Sequence, residues 1–66
     1  MTITVNGQLK DLKNISNIEE LVFSLVEKNR NVLVELNQRI VKRNDWKSRL
    51  IREGDTVDLV QLVGGG

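Results

Sequence analysis

Ile18-Glu19-Glu20-Leu21-Val22-Phe23-Ser24-Leu25-Val26 puts Ile18, Leu21, Val22, Leu25 and Val26 at i, i+3, i+4, i+7 and i+8. That spacing lays one apolar stripe along a helix and predicts the main helix of the chain, ending near Lys28-Asn29. Asn17 offers an N-cap oxygen and Glu20 stands at the capping-box position, with Ser16 and Glu19 as the alternative register. Phe23 falls off the stripe and is expected to pack under a neighbouring loop more readily than against a partner.

Strand patterns flank this helix. Thr2-Ile3-Thr4-Val5 alternates, with Ile3 and Val5 on one face, and Asn6-Gly7 follows. A type I′ turn needs positive φ at both central residues, so this dipeptide predicts a hairpin. The returning strand is read from Gln8 to about Lys13. Leu9 and Leu12 are three apart and cannot share a strand face, so a bulge or one peripheral leucine is expected. Lys10 and Lys13 suit an edge strand, where charge discourages pairing with another chain. Downstream, Val32-Leu33-Val34-Glu35-Leu36-Asn37 reads as a strand. Asn37-Gln38 then turns the chain into a short Arg39-Ile40-Val41 strand. Asn44-Asp45-Trp46 suggests a single helical turn capped by Asn44 or Asp45. Trp46, the lone Trp, is expected to cover the open end of a small core.

Glu53-Gly54-Asp55 leads into the last strand, Thr56 to Val63. Val57, Leu59, Gln61 and Val63 share one face; Asp58, Val60 and Leu62 share the other. Asp58 would be costly to bury unpaired, so its face is pointed outward. Val60 and Leu62 are then exposed on the sheet, where they are either a docking surface or ordinary apolar surface. The strand runs into Gly64-Gly65-Gly66. Glycine has no Cβ, so this stretch is thin and flexible. At up to ~3.5 Å per residue it reaches roughly 10 Å. Read alone it is an unstructured end or an expression remnant; read with the rest it is a tail that threads into a partner's active site. The division is one domain over residues 1–63 and a tail over 64–66.

Composition narrows the function. Sixty-six residues leave room for one small core. The chain has no Cys and no His. It therefore has no disulfide, no thiolate metal site and no thiol nucleophile, and it lacks the usual general base. No catalytic residue, no resident metal and no stably bound cofactor is expected. Ten cations against nine acids give a net charge of +1, which argues against a dedicated nucleic-acid binder. Neither a signal peptide nor a membrane-spanning run is read, and the cytoplasm is the expected location. Arg39, Lys42, Arg43, Lys47, Arg49 and Arg52 form a basic stretch in which Asp45 is the one acid. Its default reading is a solvated face. The chain looks like a protein on which others act, monomeric by itself.

The element order is strand, strand, helix, strand, short strand, last strand. The last strand is among the most apolar, so it is placed centrally, beside the first and parallel to it. That is an α+β fold of two layers, and one arrangement fits it well: a β-grasp, with the mixed sheet curled around the helix.

These residues resemble the ThiS family, the ubiquitin-like sulfur carrier proteins of thiamine biosynthesis. The likeness runs through Asn6-Gly7, Ile18-Glu19-Glu20-Leu21, Asn37-Gln38-Arg39-Ile40-Val41-Lys42-Arg43, Trp46, Gly54-Asp55-Thr56-Val57 and Val63-Gly64-Gly65-Gly66. Lys42 departs from the proline usual there, which is expected to loosen the loop without touching the chemistry. The resemblance implies a carrier, not an enzyme. A ubiquitin-activating-type adenylyltransferase (ThiF-like) would spend ATP to adenylate the Gly66 carboxylate. Cysteine desulfurase would be the sulfur source, and the thiocarboxylate would serve thiazole synthase (ThiG-like). Gly64 and Gly65 would thread into the partner's site; Val60, Leu62, Val63 and Arg43 would dock. Alternatives are a carrier for molybdopterin or tRNA thiolation, a protein-conjugating modifier, and a β-grasp module binding protein or RNA.

Overall fold

Ile3 and Val5 point inward from the first strand and Ile18, Leu21 and Val22 point back at them from the helix, all buried. The computed structural model describes residues 1–26 and 31–62. Its elements are β1 (Thr2–Val5), β2 (Gln8–Asp11), α1 (Ile18–Leu25), β3 (Val32–Leu36), β4 (Arg39–Val41) and β5 (Thr56–Gln61), with a 3₁₀ turn at Arg43–Asp45. The sheet order is β2-β1-β5-β3-β4. β5 is parallel to β1 and antiparallel to β3. The last strand is therefore central, as its apolar content predicts, and the fold is the α+β β-grasp.

Both hairpins form on asparagine turns. Asn6 and Gly7 have φ of 49° and 83°, and Asn37 and Gln38 have φ of 52° and 70°. Asparagine tolerates the left-handed region because its short side chain bonds locally. β2 stops at Asp11, two residues before the expected Lys13. Of the two resolutions for Leu9 and Leu12, the peripheral leucine holds: Leu9 is exposed and Leu12 packs against the core.

The start of α1 follows the sequence. Asn17 Oδ1 accepts the Glu20 N–H at 2.8 Å, and the Glu20 carboxylate accepts the Ser16 N–H at 2.7 Å. The reciprocal capping bond thus lands one residue before the cap. Two further N–H groups of the first turn are satisfied from a distance: Ile18 donates to the Arg49 carbonyl and Glu19 to the Trp46 carbonyl. The segment after β4 is in this way tied to the helix start.

The end of α1 does not follow the sequence. The helix stops at Leu25, with Val26 extended at φ −118°, ψ 126°; Lys28 and Asn29 lie outside the described residues. Ser24 Oγ donates to the Leu21 carbonyl at 2.8 Å, which competes with the helix's own ladder. The β-branched Val26 adopts strand geometry and packs against the core. Phe23 is 64% exposed, so no described loop covers it and the expected burial is not found.

Trp46 is buried and its Nε1 donates to the Val41 carbonyl at 3.0 Å. It closes one end of the core, as expected. The turn before it begins at Arg43, with Lys42 in the cap position and no side-chain cap bond. Neither Asn44 nor Asp45 caps it, because both lie inside the turn. Among the described residues no helix is long and apolar enough to cross a membrane.

Candidate functional site

β5 is fastened along its β3 edge up to Leu62 and along its β1 edge up to Leu59. On the β3 side its register runs from Val57 opposite Leu36 to Gln61 opposite Val32. Leu62 N–H then donates to the Asn31 carbonyl at 2.9 Å. On the β1 side regular pairing ends at Val5 and Val57. Beyond that point the Asn6 turn takes over: Asn6 N–H donates to the Val57 carbonyl, and Asn6 Oδ1 accepts the Leu59 N–H at 2.7 Å.

The start of β5 is clamped by the other turn. Asn37 Oδ1 accepts the Thr56 N–H at 2.9 Å, and Asn37 Nδ2 donates to Asp55 Oδ1 at 3.1 Å. Asp55 Oδ2 in turn accepts the Arg52 N–H at 2.8 Å. Turn chemistry finds Asn6 and Asn37 in the sequence, but not their second task. The signal was there: both turns use asparagine where glycine would also fit, and glycine has no side chain with which to hold β5.

The face assignment of β5 holds. Val57 is fully buried and Leu59 packs against the core, whereas Val60 is 47% and Leu62 51% exposed. Val63, Gly64, Gly65 and Gly66 lie outside the described residues, so their proposed roles rest on sequence. Arg43 is exposed, with its guanidinium 5.1 Å from the Trp46 ring centroid, a cation–π contact. β4 and β5 run the same way along β3. The structure leaves Val60 and Leu62 exposed on the outward face of β5, and sets Arg43 in the turn after β4, beside Trp46. Arg39, Lys42, Lys47, Arg49 and Arg52 are exposed as well.

The resolved acid–base perturbation stands elsewhere. Bonds from the Ser16 N–H and hydroxyl lower the pKa of Glu20, at the start of α1. Among the described residues no three His, Cys, Asp or Glu side chains converge as metal ligands. The end of β5 offers a firmly held strand with two outward apolar side chains. That arrangement suits presentation of whatever follows it to another protein.

The ThiS family model matches residues 3–66. Over 66 residues the chain is 29% identical to the sulfur carrier protein ThiS of Escherichia coli, and each chain is covered completely. It is also 29% identical, over its whole length, to the thiazole synthase of Paramagnetospirillum magneticum, of which it spans 20%. The crystal structure of the thiamine biosynthesis protein ThiS from Geobacter metallireducens matches with a TM-score of 0.84 at 33% identity, again with both chains fully covered.

Proposed function

The chain belongs to the ThiS family, and from that premise we propose that it is a sulfur carrier whose Gly66 carboxylate is the working group. A carboxylate is a poor electrophile. Attack of its oxygen on the α-phosphorus of ATP, with loss of pyrophosphate, gives an acyl adenylate with a good leaving group. A cysteine desulfurase persulfide then attacks the acyl carbon and AMP departs. A thiol cleaves the resulting acyl disulfide and frees the thiocarboxylate. That product is anionic near neutral pH and is a strong sulfur nucleophile, as a thiolate is beside a thiol.

No side chain of the carrier takes part in these steps. Its contribution is the carboxylate, the slim Gly64-Gly65 approach and a docking face at Val60, Leu62, Val63 and Arg43. Ordering three glycines costs about 3–6 kcal/mol of backbone entropy. Roughly 120–240 Å² of buried apolar surface offsets that at about 25 cal/mol per Å². Exposed valine and leucine side chains beside the tail supply area of that order.

The adenylating partner is of the ubiquitin-activating type. The client is thiazole synthase, a reading supported by the likeness of this whole chain to a portion of a thiazole synthase. ATP and the desulfurase place the reaction in the cytoplasm. The observation that carries the proposal is a central strand pinned through Leu62 that leads, in sequence, into three glycines.

Intact mass after incubation with the adenylating enzyme, ATP, cysteine desulfurase and cysteine tests it. The expected gain equals replacement of one oxygen by sulfur and is absent when Gly66 is deleted. No gain with an enzyme shown to be active on another carrier would overturn the reading.

A further inference from the structure

The chain holds seven asparagines, and Asn6 is the one that glycine follows. The side-chain amide of an asparagine is open to attack by the backbone nitrogen of the next residue, and a side chain on that residue stands in the way. Glycine has none. Gly7 is exposed, and a Cβ at its position would meet nothing within 4 Å. Among the described residues the Gly7 N–H has no hydrogen-bond partner. This nitrogen is therefore unhindered and within reach of base from solvent.

The second turn supplies the contrast. Asn37 has nearly the same φ as Asn6, 52° against 49°, and it too holds β5 through its Oδ1. Gln38 follows it, so the neighbouring residue carries a side chain. Two asparagines with one task differ in the feature that governs this attack.

We propose that Asn6 is a site of spontaneous deamidation, and that its isoaspartate product unfastens the β1 edge of β5. The Gly7 nitrogen, its proton taken by hydroxide, forms a bond to Asn6 Cγ. The bond from Cγ to Nδ2 breaks and ammonia leaves, closing a five-membered imide. Water then cleaves one of the two ring bonds between nitrogen and a carbonyl carbon. Cleavage at Cγ leaves an aspartate on the ordinary backbone. Cleavage at the main-chain carbonyl carbon leaves isoaspartate, in which the chain runs through Cβ and Cγ and a carboxylate stands on Cα. Nothing is oxidised or reduced, and water is the co-reactant.

The two products act differently on β5. In aspartate a carboxylate oxygen still accepts the Leu59 N–H, as Asn6 Oδ1 does at 2.7 Å. In isoaspartate the former Oδ1 is a peptide carbonyl oxygen, inside a turn that has gained a main-chain carbon. That turn joins Val5 directly to its partner Gln8, and the added atom displaces either this pair or the Leu59 bond. Asn6 N–H also donates to the Val57 carbonyl, so both bonds that continue the β1 edge past Val57 meet at the altered residue. The Leu59 bond restrains the reaction as well, because an amide held by β5 is not free to turn onto the Gly7 nitrogen. Conversion thus starts from a frayed edge and then keeps it open.

The test incubates the full chain in mildly alkaline buffer. Peptide masses report replacement of amide NH2 by OH at Asn6 and Asn37, an isoaspartate-specific carboxyl methyltransferase reports the isoaspartate share, and amide exchange is followed at Leu59. Conversion at Asn6 is expected to outpace that at Asn37 about tenfold or more. The Leu59 amide of the isoaspartate form should exchange about fivefold faster or more than in untreated chain, the loss of one ordinary hydrogen bond. Asn6→Asp, which carries the product charge on an unaltered backbone, should keep the slow exchange. No conversion at Asn6, or equal conversion at both asparagines, overturns the site. Unchanged Leu59 exchange in the isoaspartate form overturns the consequence, and so does an equal rise in Asn6→Asp, which would assign the effect to charge.

Discussion

Asn6 Oδ1 accepts the N–H of Leu59, 53 residues away, at 2.7 Å. β1 ends at Val5, opposite Val57, while β5 runs on to Gln61, and a turn side chain supplies the next bond. Asn6 also sits at φ 49°, so two separate demands meet in one residue. Asn6→Gly keeps the backbone conformation and loses the bond, at about 1 kcal/mol. Asn6→Ala loses the bond and adds left-handed strain, for about 2 kcal/mol. Urea unfolding should therefore rank wild type above Asn6→Gly and Asn6→Gly above Asn6→Ala. Equal stability of the two variants would show that the turn conformation carries no cost.

Lys42 has φ −68° and ψ 149°, values that proline adopts without strain. Val41 before it is in a strand, as a residue preceding proline prefers. The Lys42 N–H makes no backbone hydrogen bond among the described residues. Lys42→Pro is thus expected to stabilise the fold by roughly 0.5–1 kcal/mol, through the unfolded chain. A fall in the urea midpoint would mean that the Lys42 N–H or side chain has a task in the folded state.

Val57 and Val60 are three residues apart on β5 with opposite surroundings, one fully buried and one 47% exposed. Val57→Ala should cost about 2 kcal/mol, as buried aliphatic truncations do. Val60→Asp should leave the thermal midpoint nearly unchanged and weaken binding to the adenylating enzyme. A large drop in midpoint for Val60→Asp would show that the outer face is covered within the chain itself.

The Ser16 N–H, and after it the Ser16 hydroxyl, hold the Glu20 carboxyl below its ordinary pKa of 4.5. A carboxyl whose folded pKa is depressed adds stability above its unfolded pKa and loses it as pH falls through the folded one. The Glu20 contribution is accordingly complete at neutral pH and drains away below about pH 4.5. Glu20 is exposed, so solvent screens the effect and keeps it small. Unfolding of Glu20→Gln followed from pH 7 to 3 should show a shallower loss of stability than wild type. Parallel curves would remove Glu20 from the acid sensitivity of the fold.

Much of this was legible in the chain because the signals are local. Ile18, Leu21 and Val22 declare a helix by spacing alone, and Asn17 with Glu20 mark where it begins. Asn6-Gly7 and Asn37-Gln38 declare turns because few residues accept positive φ. The alternation of Val57 and Leu59 with Asp58, Val60 and Leu62 assigned the faces of β5, since burial of an unpaired Asp58 is costly. Where the reading missed, the deciding contact was made elsewhere. The helix end near Leu25 turned on Ser24 bonding back to Leu21 and on Val26 finding the core. Phe23 stayed exposed because no described segment crosses it.

Local pattern alone settles which elements form, which face of β1, α1 and β5 is buried, and that an apolar strand is followed by three glycines. Those properties depend on residues a few positions apart. Only the tertiary structure decided that Asn6 and Asn37 hold β5 with their side chains, and that residues 46–49 complete the start of α1. These depend on register between strands distant in the chain. Register is set by the packing of both faces together, a sum no single stretch contains.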